Sequence, residues 1–123
     1  MIISNPKQLN ELTLKLWEKQ EGLIIIYNLP FRLFETRRTQ ERQEILFNQK
    51  LSKTMQSNHL TGDAWDVAEW KNGQWSWDDI FWFQVLGILT INLINGVRWG
   101  ADWNGKNFWF DEKFRDYGHY ETR

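Results

Sequence analysis

The stretch DAWDVAEWKNGQW, residues 63–75, alternates small or apolar side chains with acidic ones as far as Trp70 and then reaches the pair Asn72-Gly73. Alternation with a period of two is typical of a strand that buries one face, and Asn-Gly is the pair that a two-residue hairpin turn favours. The stretch therefore predicts an antiparallel hairpin that continues into Trp75.

A long helix is predicted directly after this hairpin. Ser76, followed three residues later by Asp79, resembles a capping box with an acidic partner, and Asn95-Gly96 is a typical helix end. Residues 80–97 are the most apolar part of the chain, but they contain polar side chains and fall short of the roughly 20 apolar residues that a membrane span requires. We expect a buried helix over residues 77–94, with its aromatic side chains mainly in the core, and no membrane insertion.

The chain before the hairpin is predicted to form a helix, a strand and a second helix. Pro6 suits the first turn of a helix in which leucines recur at helical spacing until Gly22. Residues 23–27 form an isoleucine-rich run, which is too short for a helix after a glycine and is typical of a buried strand. The second helix covers residues 39–49 and is capped by Thr39.

After the long helix, residues 97–103 and 118–121 fit two further strands, separated by a surface loop over residues 104–114. This order of elements predicts a small α+β domain in which a mainly antiparallel sheet packs with about three helices. The chain has 123 residues, of which 41% are hydrophobic, so we expect one domain, residues 1–123, with a core of its own.

Composition excludes several classes of protein. The absence of cysteine excludes disulfide scaffolds, thiolate zinc sites and thiol nucleophiles together. The chain has 15 Lys and Arg against 16 Asp and Glu, and its densest basic run, residues 37–42, is interrupted by Glu41, so we expect no nucleic-acid partner. The first ten residues lack the basic start and apolar run of a secretory signal, so we expect the protein to stay in the cytoplasm until it is released.

Both histidines of the chain lie near a carboxylate in the sequence. His59 precedes Asp66, and His119 closely follows Asp116. Imidazole and carboxylate are the ligands that zinc accepts where thiolates are missing, and a catalytic zinc takes three protein ligands. His59, Asp66 and His119 could fill that requirement, with Asp116 as an acid/base group. The alternative is that the histidines are ordinary core or surface residues that these carboxylates hydrogen-bond.

The pattern around these residues resembles a known family. It runs Ser-x-His-x-x-Gly-x-Ala-x-Asp over residues 57–66 and Asp-x-x-His over residues 116–119. This is similar to the signature of the zinc peptidases of the D-alanyl-D-alanine carboxypeptidase and hedgehog-like superfamily, especially the bacteriophage L-alanyl-D-glutamate endopeptidases. Arg-Thr-x-x-x-Gln over residues 38–43 and Trp-Gly-Ala-Asp-Trp over residues 99–103 resemble further segments of these enzymes.

The resemblance implies a role for each matching residue. It makes Zn²⁺ the cofactor, with His59, Asp66 and His119 as its ligands. It makes Asp116 the general base and Arg38 a cation that binds the substrate or the oxyanion. Read from the residues alone, Arg38 could equally start a helix and pair with Glu41 or Glu35. The further predicted substrate contacts are Gln43 and Ser57, from the motif, and Trp103, which flanks a loop rich in Gly and Asn.

As a whole, the resemblance implies a hedgehog/DD-peptidase-like fold and a monomeric phage endolysin. Its partner would be the stem peptide of peptidoglycan, cleaved at an amide bond that we expect to be L-Ala-D-Glu by zinc-activated water. Two alternatives stay open. One is a D-Ala-D-Ala carboxypeptidase or dipeptidase of the same superfamily. The other is a non-catalytic domain that contains zinc and binds the cell wall.

Overall fold

The computed structural model describes residues 2–52, 56–102 and 116–123, and in these ranges the chain forms three α-helices and a five-stranded sheet. The helices are α1, Glu11–Ile26; α2, Gln40–Asn48; and α3, Ile80–Leu93. The strands are β1, Phe31–Glu35; β2, Ala64–Lys71; β3, Gln74–Ser76; β4, Val97–Trp99; and β5, His119–Thr122. Short 3₁₀ helices cover Pro6–Gln8 and Asn58–Thr61.

The sheet has the order β1-β2-β5-β4, and β3 pairs with the distal end of β2. All of these pairs are antiparallel. The predicted hairpin is confirmed, because β2 pairs with β3 from Glu69 to Lys71. Asn72 and Gly73 have φ values of 53° and 77°, which is the left-handed pair that a tight hairpin turn requires. The predicted α+β class with an antiparallel sheet and three helices is likewise confirmed.

Strand register divides the sheet into two faces with different chemistry. Residues that lie directly opposite each other in an antiparallel pair share a face. Trp65 lies opposite Tyr120, and their rings stack at 5.8 Å between centroids on what we call the core face. Asp66 lies opposite His119 on the other face, which we call the site face. Helices α1 and α3 pack against the core face.

The prediction of a strand over residues 23–27 is wrong. Helix α1 continues through Gly22 to Ile26, and the strand begins only at Phe31. The isoleucine run looks like a strand in the sequence, but only Ile24 lies on the buried side of the helix, whereas Ile25 is 71% exposed. A glycine inside a helix costs about 1 kcal/mol, which tertiary packing can offset.

A buried glutamine joins the two core helices to the sheet. Gln20 is fully buried, accepts a hydrogen bond from Trp65 Nε1 at 2.7 Å and donates one to Thr90 Oγ1 at 3.0 Å. Both ends of its amide are therefore satisfied within the core, as burial of a polar group demands. This contact ties α1 to β2 and α3 two residues before Gly22.

Helix α3 is only partly buried, which corrects the expectation of a buried helix with core aromatics. Phe83 and Leu86 are buried, but Phe81 is 62% exposed and Trp82 is 37% exposed. The helix starts at Ile80, and its N-cap residue Asp79 makes no side-chain capping bond. Within the described residues, none of the helices is long and apolar enough to cross a membrane.

Helix α3 meets β4 at Gly87. A Cβ atom at this position would lie 2.1 Å from the indole of Trp99, which is itself fully buried. The absence of a side chain at Gly87 therefore lets the helix lie directly on the indole ring.

We expect Gly87→Ala to lower the free energy of unfolding by about 2 kcal/mol, because the added methyl group would force Trp99 out of its packed position. Gly22→Ala is the matched control, since nothing lies within 4 Å of a Cβ there. It should raise stability by about 0.5–1 kcal/mol through helix propensity. Thermal or urea unfolding of both variants decides the prediction, and equal effects of the two substitutions would contradict it.

Candidate metal centre

The structure brings His59, Asp66 and His119 together from three separate elements. Asp66 and His119 are cross-strand partners on the site face, and His59 comes from the 3₁₀ helix that precedes β2. Ser57 caps this short helix by accepting a hydrogen bond from the His59 backbone N–H at 3.2 Å. Gly62 ends it with φ +78°, a left-handed conformation that glycine adopts without strain. The motif spacing therefore encodes a turn that places His59 beside the strand.

The three side chains form a nearly equilateral triangle of potential ligand atoms. His59 Nε2 lies 3.1 Å from Asp66 Oδ1 and 3.2 Å from His119 Nδ1, and His119 Nδ1 lies 3.2 Å from Asp66 Oδ1. Ligand atoms around a tetrahedral zinc ion lie about 3.3 Å apart, given zinc–ligand distances of about 2.0–2.1 Å. The donor set and its spacing could therefore hold a metal ion.

The outer ring nitrogens of both histidines are held by hydrogen-bond acceptors. His59 Nδ1 lies 2.7 Å from the carbonyl oxygen of Thr36, and His119 Nε2 lies 2.8 Å from Glu121 Oε1. A carbonyl and a carboxylate can only accept, so each of these nitrogens carries the hydrogen, and in a neutral ring the inner nitrogen carries a lone pair. Two imidazole nitrogens and a carboxylate oxygen thus converge on one point, where a bound cation would be stabilised.

The electrostatics of the cluster agree with this geometry. Burial disfavours the charged form of His119, but the hydrogen bonds to Asp66 and Glu121 outweigh burial and raise the pKa of His119 to about 10. Burial would likewise raise the pKa of Asp66, yet the neighbouring charge of His59 and the hydrogen bonds from both histidines hold the pKa of that carboxyl well below its usual range. The site therefore strongly attracts positive charge, either as a proton or as a metal ion.

Asp116 lies beside this cluster, at the start of the turn that leads into β5. Its backbone N–H donates to the Gly100 carbonyl at 2.8 Å, and its carbonyl accepts from the His119 N–H at 3.1 Å. A Cβ at Gly100 would lie 2.3 Å from the Asp116 carbonyl oxygen, so this close approach requires glycine. Reduced hydration and the negative charge of Asp66 raise the pKa of Asp116 above its ordinary value.

Arg38 lies between the metal-ligand cluster and a buried glutamate. Its terminal nitrogens contact Glu35 Oε1 at 2.8 Å, Gln43 Oε1 at 2.9 Å and Asp66 Oδ2 at 3.5 Å. Of the two partners considered for Arg38 from the sequence, Glu35 is therefore the one in contact. Arg42 also binds Glu35, through Nε at 2.6 Å, so that two guanidinium groups share one carboxylate.

The remaining predicted site residues lie in different places. Ser57 lines a cleft of about 700 Å³ together with His59, Asp116 and His119. Gln43 is fully buried behind Arg38, where its Nε2 also donates to Ser52 at 3.0 Å. Trp103 and the predicted loop over residues 104–114 lie outside the described residues.

Three further groups reach the site through strand pairing and local contacts. Glu35 lies opposite Asp66 because β1 pairs with β2, and the carbonyl of the next residue, Thr36, contacts His59. Glu121 follows His119 by two residues, and the strand period predicts that it shares the same face. The sequence left open whether Glu121 orients a neighbouring side chain or faces solvent, and the structure shows it buried in contact with His119.

We expect Glu35→Gln to lower the free energy of unfolding by about 3 kcal/mol at neutral pH, because Arg38 and Arg42 would lose their shared counter-ion. Burial would raise the pKa of Glu35, but hydrogen bonds from Arg42 and Arg38 outweigh burial and lower that pKa. The contribution of Glu35 to the free energy of unfolding is therefore fully present above its ordinary pKa of 4.5. It is lost as the pH falls through the lower pKa that Glu35 has in the folded protein.

Urea unfolding from neutral to acidic pH measures this difference. The gap between the wild type and Glu35→Gln should narrow as the pH falls, and a gap that is independent of pH would contradict the assignment. Glu11→Gln is the control, because Glu11 pairs on the surface with the exposed Lys15 at 3.5 Å and should leave stability almost unchanged.

Comparisons with known proteins indicate the family of this chain and agree with its fold. The model of the family described as phage L-alanyl-D-glutamate peptidase matches residues 4–122. The L-alanyl-D-glutamate peptidase of Escherichia phage T5 is 40% identical over 78 residues, a match that spans 58% of this chain and 57% of that protein. The chain thus matches little more than half of the length of this relative.

A solved structure shows the same fold. The crystal structure of the Serratia marcescens L-Ala D-Glu endopeptidase ChiX matches with a TM-score of 0.73, covering 100% of this chain and 90% of that chain at 20% sequence identity. At this identity the likeness concerns the fold alone, whereas the family match extends over nearly the whole sequence. This chain therefore belongs to the phage L-alanyl-D-glutamate peptidase family.

Proposed function

We propose that this protein is a zinc-dependent peptidase that cleaves the L-Ala-D-Glu amide bond in the stem peptide of peptidoglycan, and that residues 1–123 act as a single catalytic domain. The observation that carries the proposal is the convergence of two imidazole nitrogens and one carboxylate oxygen beside Asp116 in an open cleft. The bond and the substrate come from the family and from the names of its relatives. We further propose that the protein acts as a monomeric endolysin, which reaches the cell wall from the host cytoplasm.

The ligand set fits zinc better than the hard cations that prefer oxygen ligands. His59, Asp66 and His119 supply two nitrogens and one oxygen, and three protein ligands are typical of a catalytic zinc site. A zinc ion held by these residues supplies Lewis acidity, which makes water a stronger nucleophile at neutral pH and polarises an amide carbonyl. Glu121 and the Thr36 carbonyl orient the two imidazoles through their outer nitrogens.

Asp116 is the proposed general base and acid. It lines the cleft next to His119, and its raised pKa brings the carboxyl closer to the pH at which it can both accept and release a proton. In hydrolysis the carboxylate of Asp116 would take a proton from the attacking water. The same carboxyl would then return the proton to the amine of D-glutamate as the amide bond breaks.

Arg38 is the proposed cation for the developing negative charge. Arg38 and Arg42 share the single carboxylate of Glu35, so this group of three side chains keeps one net positive charge at the cleft. Arg38 lines the cleft, and its terminal nitrogens are held by Glu35 and Gln43. A guanidinium fixed in this way suits an oxyanion or a substrate carboxylate, because its orientation costs nothing at the moment of reaction.

Peptidoglycan digested with the zinc-loaded protein should release peptides that begin at D-glutamate, and removal of the metal with a chelator should abolish the release. Mass spectrometry of the new ends identifies the bond. Loss of a terminal D-alanine alone would instead indicate a carboxypeptidase. Zinc binding without any new ends would indicate a wall-binding domain.

Asp116→Asn should lower kcat by at least about 100-fold and leave the zinc content unchanged, because the residue moves a proton and does not bind the metal in this proposal. His59→Ala should instead lose zinc and stability together. The matched control is Asp78→Asn, since Asp78 is exposed just before α3 and is not among the residues that line the cleft. Zinc content by atomic emission and turnover of peptidoglycan test both variants. Full turnover by Asp116→Asn would remove this residue from the mechanism.

A further inference from the structure

Four aromatic side chains form a continuous surface beside the metal-ligand cluster. The ring of Phe34 lies 5.0 Å from that of Trp75 and 4.9 Å from that of Trp77, and Trp70 lies 5.1 Å from Trp75, all as edge-to-face pairs. We call these four residues, Phe34, Trp70, Trp75 and Trp77, the aromatic strip. Trp75 is 38% exposed and Trp77 is 46% exposed, so the strip presents indole rings to solvent.

The strip is built on the same side of the sheet as the candidate metal centre. Every second residue of β2 lies on the site face, which places Asp66, Ala68 and Trp70 there. Trp70 lies opposite Trp75 in the hairpin. Phe34 is the extra residue of a β-bulge in β1, where pairing with β2 shifts between Leu33 and Glu35. The bulge and the small side chain of Ala68 leave room for the Phe34 ring to reach the indoles of the β3 side.

The strip continues directly into the cleft. Phe34 and Trp77 line the same cleft as His59, Asp66 and Asp116. Trp70 is four residues along β2 from Asp66, which corresponds to about 13 Å of strand. A substrate that reacts at the metal-ligand cluster would therefore extend over the strip in one direction.

We propose that the aromatic strip binds the N-acetylmuramic acid sugar that carries the stem peptide, with Trp75 as its main ring contact. This inference rests on the proposed function. In peptidoglycan the amino group of the stem L-alanine is joined to this sugar through a lactyl group. Alanine and the lactyl group together span about 7 Å of extended chain, so the sugar ring would begin about where the strip begins.

The chemistry of the strip favours a neutral sugar over an ammonium group of a peptide. Exposed indoles offer broad apolar faces, which stack on the C–H faces of a pyranose ring, while their N–H groups remain available to hydroxyl and acetamido oxygens. The charged side chain that contacts the strip is Arg32, whose guanidinium carbon lies 4.7 Å from the centre of the Trp70 ring. A cation already stacked on the outer indole would repel an ammonium group, but it is compatible with a neutral sugar.

The test compares two soluble substrates that have the same stem peptide: the first, here called the free peptide, is N-acetylated at L-alanine, and the second is joined there to N-acetylmuramic acid. For wild type we expect a higher kcat/KM with the sugar-linked peptide, mainly through a lower KM. Trp75→Ala should reduce the ratio of the two kcat/KM values about tenfold, the effect of losing one ring contact. Trp75→Phe, which keeps an aromatic face, should restore most of the ratio.

Trp82→Ala is the matched control. Trp82 is an indole of similar exposure, 37%, and it belongs to α3, which packs on the core face of the sheet. It should leave both kcat/KM values unchanged. An unchanged ratio in Trp75→Ala would overturn the proposal. So would an equal loss on both substrates, because the strip would then bind the peptide or merely support the cleft.

Calorimetric titration separates this proposal from the proposed function. Even if wild type hydrolyses neither substrate, it should bind the sugar-linked peptide more tightly than the free peptide, and Trp75→Ala should lose that preference. If wild type binds both peptides equally, the assignment of the strip to the sugar is wrong, whatever the outcome for hydrolysis.

Discussion

The antiparallel register between β2 and β5 is the constraint on which the rest of the structure depends. It places Trp65 opposite Tyr120 on the core face and, one residue further, Asp66 opposite His119 on the site face. A slip by one residue would move every side chain of the strand to the wrong face. The stacked pair on the core face therefore stabilises the same register that the metal ligands need, and packing energy on one side positions the chemistry on the other.

The site face concentrates ionisable groups whose burial is costly unless they are paired. Glu35 is almost fully buried between Arg38 and Arg42, and Glu121 is buried against His119. Such networks add less stability than an apolar core of the same size would, but removing one member leaves an uncompensated charge. We interpret the network as the means by which the fold holds a guanidinium and two imidazoles in fixed orientations around one point.

The site and the aromatic strip share a common origin in the alternation of β2. The sequence from Asp66 through Ala68 to Trp70 places a charged, a small and an aromatic side chain in succession on one face. Asp66 thus lies toward one end of this face and Trp70, the cross-strand partner of the exposed Trp75, toward the other, with a small residue between them. One strand therefore links the proposed reacting centre to the proposed sugar contact.

From the sequence we could predict the hairpin, the capped α2, the α+β class and the grouping of His59, Asp66 and His119, because these follow from local turn chemistry, period-two alternation and a motif in two short segments. The continuation of α1 through residues 23–26 could not be predicted, because an isoleucine run after a glycine looks like a strand in the sequence, whereas tertiary packing can offset the cost of Gly22 in a helix. Nor could the sequence show that Phe81 and Trp82 face outward, because a helix that is apolar all round does not indicate which side packs. The folded structure was needed to show that Arg38 pairs with Glu35, and that Glu121 and the Thr36 carbonyl contact the outer nitrogens of the imidazoles. It was needed likewise to show that Trp77 lines the cleft. These contacts join residues that are far apart in the chain or that the sequence left with several possible partners, and only the register of the sheet selects among them.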